Sequence, residues 1–108
     1  GHYGCGGVRA AYARTSLGLI DNWLRHVQDV HERHRAVVEA ASGEEAQVAR
    51  LCELNVIDQV KHVCQTTILG DAWRRGQSIH VHGWIYDLHD GLLRDLQCTA
   101  SSPTDVGL

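Results

Sequence analysis

The sequence predicts an α/β chain in which helices come first and a β-hairpin comes last, one domain at most. Three observations predict it. Apolar residues recur at spacings of three and four through the first two thirds of the chain, the period changes to two after Gly76, and a glycine-dense turn opens the chain ahead of the first helical segment. The chain has 108 residues, 44% hydrophobic and 21% charged. That is the composition of an ordinary globular chain, and it excludes low-complexity disorder and collagen-like fibre.

Each element follows in order. Gly1-His2-Tyr3-Gly4-Cys5-Gly6-Gly7 holds four glycines, which marks a tight turn where another group approaches the backbone closely. Val8 to Ala13 reads as a short helix. Leu17, Ile20, Leu24, Val27, Val30 and Val37, with His34 filling the one gap, predict an amphipathic helix from Leu17 to Val38. Its polar face carries Asp21, Arg25, Gln28, Glu32 and Arg35. Ser42 and Glu45 have capping-box spacing, so a new helix should start there. Val48, Leu51, Cys52, Val56, Val60 and Val63 carry it to His62 or Cys64. Thr66 to Arg75 reads as a further short helix closed by Gly76.

Beyond Gly76, Ile79, Val81, Gly83 and Ile85 fall on one face of a strand, and His80, His82, Trp84 and Tyr86 on the other. Asp87 to Gly91 makes the turn, and Leu92 to Ala100 the returning antiparallel strand. The tail 101–108, with Ser-Ser-Pro, is expected to be mobile. No internal repeat and no linker interrupts this order. One hairpin is a poor lid for helices with such wide apolar faces. A sheet is therefore expected upstream of Gly1, and a start at Gly1 in a chain without Met points the same way. By the same reasoning the chain is not a self-sufficient monomer; the missing cover is an upstream segment, a complementary chain or a second copy.

Ten Lys and Arg are scattered among thirteen Asp and Glu, for a net charge of −3. This argues against nucleic acid and against an anionic membrane surface as partners. No stretch approaches the length of a membrane span, and there is no signal-peptide pattern. Four cysteines without close pairing argue against a disulfide scaffold and for a reducing, cytoplasmic compartment. Eight histidines raise the expectation of a metal or proton-transfer role.

The chemistry concentrates at His2-x-x-Cys5. Imidazole nitrogen and thiolate sulfur both suit zinc, and two intervening residues, one of them Gly4, let the side chains converge on one ion. Cys5 also opens a helix, where the positive end of the dipole favours negative charge. Alone, the pattern reads equally well as a turn with a spare His and Cys; the glycines and the helix that follows favour a site. His80-x-His82 is a possible metal pair, but strand-face histidines touching water or a partner are the commoner arrangement, as is a solvated helix face for His31 and His34. Cys52, Cys64 and Cys98 read as buried thiols, and Trp23, Trp73 and Trp84 as core or interface.

G-H-Y-G-C-G-G-V resembles the second zinc-binding motif of the β-class carbonic anhydrases, and the resemblance continues through nearly the whole chain. Leu17-Gly18-Leu19-Ile20-Asp21-Asn22-Trp23-Leu24, Leu51-Cys52-Glu53-Leu54-Asn55-Val56, Ala72-Trp73-Arg74-Arg75-Gly76-Gln77, His82-Gly83-Trp84-Ile85-Tyr86-Asp87 and His89-Asp90-Gly91-Leu92-Leu93-Arg94-Asp95-Leu96 resemble successive segments of its bacterial branch. The resemblance implies that residues 1–100 are the C-terminal part of a single β-carbonic anhydrase domain, the family's first parallel strands lying upstream. It implies zinc as cofactor, with His2 and Cys5 as two of its ligands and the others in an upstream Cys-x-Asp-x-Arg segment whose Asp and Arg orient the reacting water. The implied reaction is reversible hydration of carbon dioxide to bicarbonate and a proton, with zinc lowering the pKa of its water toward about 7. A thiolate ligand makes that water less acidic, so activity should favour alkaline pH. The partners implied are carbon dioxide, bicarbonate and further copies of the chain, as a dimer or tetramer. Tyr86 falls where one bacterial branch has a tyrosine holding a second, non-catalytic bicarbonate; a half-buried strand tyrosine is the plainer alternative. A non-catalytic zinc-binding or oligomerising fragment is the competing function for the same residues.

Overall fold

A computed structural model describes residues 1–107. Helix α1 spans Gly6–Ala13, α2 Asp21–Arg33, α3 Arg35–Glu39, α4 Glu44–Cys64 and α5 Thr67–Arg74. Strands β1 (Trp84–Asp87) and β2 (Leu92–Asp95) follow, and a 3₁₀ turn occupies Pro103–Val106. The order of helices first and hairpin last is the predicted one. β1 and β2 pair antiparallel with Trp84 opposite Asp95 and Tyr86 opposite Leu93.

The other edge of β1 is also occupied. Tyr3 N–H donates to Tyr86 O at 2.9 Å and Tyr86 N–H to Gly1 O at 2.9 Å, a parallel bridge that makes His2 the register partner of Tyr86. The first three residues therefore lie parallel to β1 in a single bridge, on the edge opposite β2. Farther along, Val81 and Ala100 exchange two backbone bonds of 2.8 and 2.9 Å, but between them and the hairpin the ladder is interrupted, with Gln97 at φ 59°. The long strands expected over 79–86 and 92–100 are thus two short strands and an isolated bridge. The predicted facing holds: Gly83 and Ile85 are buried, Ile79 and Val81 half-buried, and His80, His82, Trp84 and Tyr86 exposed.

Two helix boundaries differ from expectation. The helix foreseen from Leu17 begins only at Asp21, whose carboxylate accepts the Leu17 N–H at 2.9 Å and so holds residues 17–20 as a loop. It then breaks at His34 (φ −119°, ψ 26°) into α2 and α3. The break shifts the apolar register by one residue: Val38 is fully buried, whereas Val37, the expected core position, is 42% exposed. At the start of α4 the Ser42–Glu45 capping box does not form. Gly43 is the N-cap, at φ 91°, where only glycine is unstrained, and Glu45 turns instead to Arg9 with two contacts of 2.9 Å. A capping box does form at Ser102 and Asp105, opening the 3₁₀ turn; Leu108 lies outside the described residues.

The main core lies between α1, α2, α4 and β1, built on Leu24, Val27, Val30, Leu51 and Ile85. Burying each of the larger of these contributes about 1.5–3 kcal/mol. A second cluster joins Val60, Cys64, Leu69 and Ala100, with Trp73, whose indole N–H donates to Ile79 O at 3.1 Å. Cys98, expected to be buried, is half-buried beside it, and Trp23 is 60% exposed rather than part of the core. The Cα radius of gyration is 15.1 Å, against about 13 Å for a compact domain of this length.

Two predictions follow from this packing. A methyl at Gly83 would overlap Cys98 Sγ and come to 3.2 Å from Val60 Cγ2. Gly83→Ala should cost about 1–3 kcal/mol in urea unfolding, and Gly83→Ala with Cys98→Ala should recover part of the loss. The second concerns His31, which stacks on Tyr12 with ring centroids 5.4 Å apart. Burial, then the guanidinium groups of Arg35 and Arg14, push its pKa below the ordinary value. An unfolded histidine, with pKa near about 6.5, takes up its proton before the folded one does. Stability is therefore full above that value and falls as pH drops through the lower folded pKa. Thermal melts at pH 7, 6 and 5 should show a declining Tm, and His31→Gln should flatten the decline.

Candidate metal centre

The turn that leads into α1 carries the expected ligands. Gly4, at φ 69°, reverses the chain after Tyr3, and Cys5 caps α1 with its carbonyl accepting the Arg9 N–H at 3.0 Å. Cys5 therefore sits at the N-terminal end of a helix, beside the unpaired peptide N–H groups of its first turn. The site lies directly after the bridge that joins His2 to Tyr86 of β1.

His2 is exposed, and its Nδ1 lies 2.9 Å from the Tyr3 carbonyl. The bond requires a proton on Nδ1, which leaves the Nε2 lone pair free for a metal; this is the arrangement that orients most histidine ligands. Cys5 is half-buried and is a free thiol, as are the other three cysteines. The two donor types fit zinc. Two donors do not complete a site, and among the described residues no three His, Cys, Asp or Glu side chains converge on one point.

Residues of α4 lie directly beneath the turn. The Tyr3 hydroxyl donates to Glu53 Oε2 at 2.5 Å, and Arg50 donates to Glu53 Oε1 at 3.0 Å. Burial, then the bond to Glu53, push the Tyr3 pKa up to about 12. The guanidinium of Arg94 lies over the Tyr3 ring at 5.7 Å. At Cys52, burial raises the thiol pKa, partly offset by backbone N–H groups of Cys5 and Gly4 aimed at the sulfur. The Tyr3–Glu53 bond is not visible in sequence patterning, because the partners lie fifty residues apart and α4 shows only its apolar period.

A cleft of about 520 Å³ opens beside the turn, lined among others by Tyr3, Arg9, Arg50, Glu53, Asp87 and Arg94. Arg9 pairs with Glu45 at 2.9 Å, Arg50 with Glu53 at 3.0 Å and Arg94 with Asp90 at 2.5 Å. Its three guanidinium groups are thus charge-balanced, and the cleft offers an anion no unpaired cation.

Of the other predicted residues, only Tyr86 adjoins His2. Tyr86 is exposed on β1 beside His2 in register, with its hydroxyl over Gly91. His80, His82 and Trp84 form a stacked ladder along the exposed strand face, with centroid separations of 6.3 and 4.9 Å. Their ring nitrogens engage hydroxyls: His80 Nδ1 lies 2.7 Å from Ser101 Oγ and His82 Nδ1 3.0 Å from Thr99 Oγ1. At 6.3 Å apart the two rings do not form a chelating pair. His31 packs on Tyr12, and His34 marks the helix break.

The family model described as carbonic anhydrase matches residues 1–93. A carbonic anhydrase of Emericella nidulans is 41% identical over 96 residues, covering 89% of this chain and 42% of that protein. Among solved structures, the Coccomyxa β-carbonic anhydrase in complex with acetazolamide superposes with a TM-score of 0.86 at 31% identity, over 99% of this chain and 49% of that one. One of two tetrameric β-carbonic anhydrases of the ascomycete Sordaria macrospora superposes with a TM-score of 0.83 at 29% identity, over 93% and 51%. A fold of helices and a terminal hairpin around a glycine-rich His-x-x-Cys turn is thus that of a recognised class of enzyme. The chain belongs to the β-carbonic anhydrase family. It spans about half the length of the relatives it matches.

Proposed function

We propose that this chain takes part in the reversible hydration of carbon dioxide to bicarbonate and a proton, supplying His2 and Cys5 as two ligands of a catalytic zinc. The observation that carries the reading is the His2–Tyr3 contact: with Nδ1 committed to a carbonyl, Nε2 is left free on the same turn that presents a thiol at a helix N-terminus. Bound zinc supplies an activated water near neutral pH. His2 and Cys5 hold and orient the metal; Gly4 sets the distance between them; the sheet and α4 fix the turn against solvent. Two ligands leave the site short of the three that catalytic zinc takes from protein. The remainder come from residues outside these 108, in the family pattern a Cys-x-Asp-x-Arg segment, or from a second copy.

Tyr86 we assign to a second, non-catalytic bicarbonate site. Its position beside His2 in register supports this, and the site would need cations from outside the neighbouring cleft, where every arginine is paired. Homo-oligomerisation is supported by the exposed apolar side chains Leu17, Leu19, Ile20 and Trp23 at the start of α2 and by Leu92 and Leu93 on β2. Cytoplasmic placement is supported by four free thiols. No helix among the described residues is long and apolar enough to cross a membrane.

Cys5→Ser and His2→Ala should each lose most of the bound zinc, measured by metal analysis after dialysis; full zinc content in either would end the assignment. In stopped-flow assays at pH 7 and pH 9, the zinc-loaded 108-residue chain should hydrate carbon dioxide poorly, and a form carrying the Cys-x-Asp-x-Arg segment should be fast. Firm zinc binding with no rate above buffer in both forms would favour the non-catalytic fragment. A rate that rises with protein concentration would indicate a site shared between two copies.

A further inference from the structure

We propose that Tyr3 and Glu53 form a positioning pair for the metal turn, Glu53 pinning the Tyr3 phenol so that the Tyr3 carbonyl holds the His2 ring with Nε2 outward. The inference rests on the reading of His2 and Cys5 as zinc ligands. Tyr3 lies inside the His-x-x-Cys turn and is fixed from three sides. Its N–H is bonded to Tyr86 O at 2.9 Å, its hydroxyl to Glu53 at 2.5 Å, and its ring lies beneath Arg94. Its carbonyl is the group that receives His2 Nδ1 at 2.9 Å. A carbonyl orients a ring only if its own peptide is held, and here the holding group is on another helix.

Glu53 suits that task. Its carboxylate is bonded at both oxygens, to Tyr3 and to Arg50, and its side chain is 23% exposed. A short, partly buried hydroxyl–carboxylate bond is stronger than an exposed neutral one. The neighbouring Cys52 is buried in the main core, against which Tyr3 and Cys5 of the turn pack. α4 thus supports the turn by packing as well as through the Glu53 bond. The competing explanation is that the pair merely staples α4 to the sheet, in which case its loss would lower stability without altering the metal.

The test measures zinc affinity by competition with a chromophoric chelator, and the visible spectrum of the cobalt-substituted full chain. Tyr3→Phe and Glu53→Ala should each weaken zinc binding about 10-fold or more, the effect of losing a group that orients a metal ligand. Both should shift the cobalt spectrum. The double variant should be no worse than either single one, because the two act through one bond. Glu53→Gln, which keeps an acceptor for the phenol, should recover most of the affinity. Glu45→Ala, which removes an exposed ion pair elsewhere on α4, should leave both readouts unchanged. Lower Tm with wild-type zinc affinity and cobalt spectrum in Tyr3→Phe and Glu53→Ala would overturn the proposal in favour of a staple. Should Glu53→Ala fail to fold, Tyr3→Phe, which removes a single oxygen, decides the matter. Cys5→Ser separates the two readings. If it loses zinc while the positioning variants bind normally, only this inference falls; if it binds normally, the ligand assignment falls and this inference with it.

Discussion

The parallel pairing of residues 1–3 with β1 is the constraint on which the rest of the arrangement depends. Two backbone bonds of 2.9 Å tie the start of the chain to Tyr86. They set the height at which Gly4 turns the chain, the point from which α1 departs, and the side of α4 against which the turn rests. Remove that pairing and α1 keeps its helix, but His2 and Cys5 lose their common frame. The metal chemistry proposed for this chain is therefore a property of the sheet, carried by an isolated bridge and a short hairpin rather than by the helices that make up most of the mass.

The helices supply the support. α4 touches both the turn and the main core: Leu51 and Cys52 are buried in the core and Glu53 reaches out to Tyr3. A helix with an apolar stripe on one side and a bonded carboxylate at its border couples packing to site geometry. Core substitutions near Leu51 should therefore be felt at the turn even though they contact neither ligand. This distribution suits a site whose remaining ligands lie elsewhere: the half contributed here is held rigid by its own fold.

Much of this was legible in the sequence, for identifiable reasons. The change of period after Gly76 reports burial directly, so the alternation from Ile79 to Tyr86 appears in the fold as it does in the residues. The glycine-rich His-x-x-Cys turn is legible because its chemistry and its backbone demands are both local. The break at His34 was not legible, because helical spacing tolerates a one-residue shift and both Val37 and Val38 are apolar. The cap of α4 was misread because Glu45 had two possible partners, and Arg9, 36 residues away, won over the local backbone. The pairing of residues 1–3 was missed because three residues carry no periodicity. Glu53 was hidden because a polar residue on a helix looks solvated until its partner, 50 residues distant, is placed.

The turn's dependence on Tyr86 also bears on the order of events when the chain is made. Every group that fixes the turn, apart from Gly4 and α1 itself, is encoded later: Cys52 and Glu53 in mid-chain, Tyr86 and Arg94 near its end. At about 5–20 residues per second, some seconds pass between synthesis of Cys5 and that of its last anchor. Through that interval the thiol and imidazole are unassembled, and closing so long a loop is among the slower steps a small domain takes. The turn is thus completed only after residues that follow it by up to ninety positions. On the proposed reading of His2 and Cys5 as ligands, ion capture by this half of the site follows completion of the sheet.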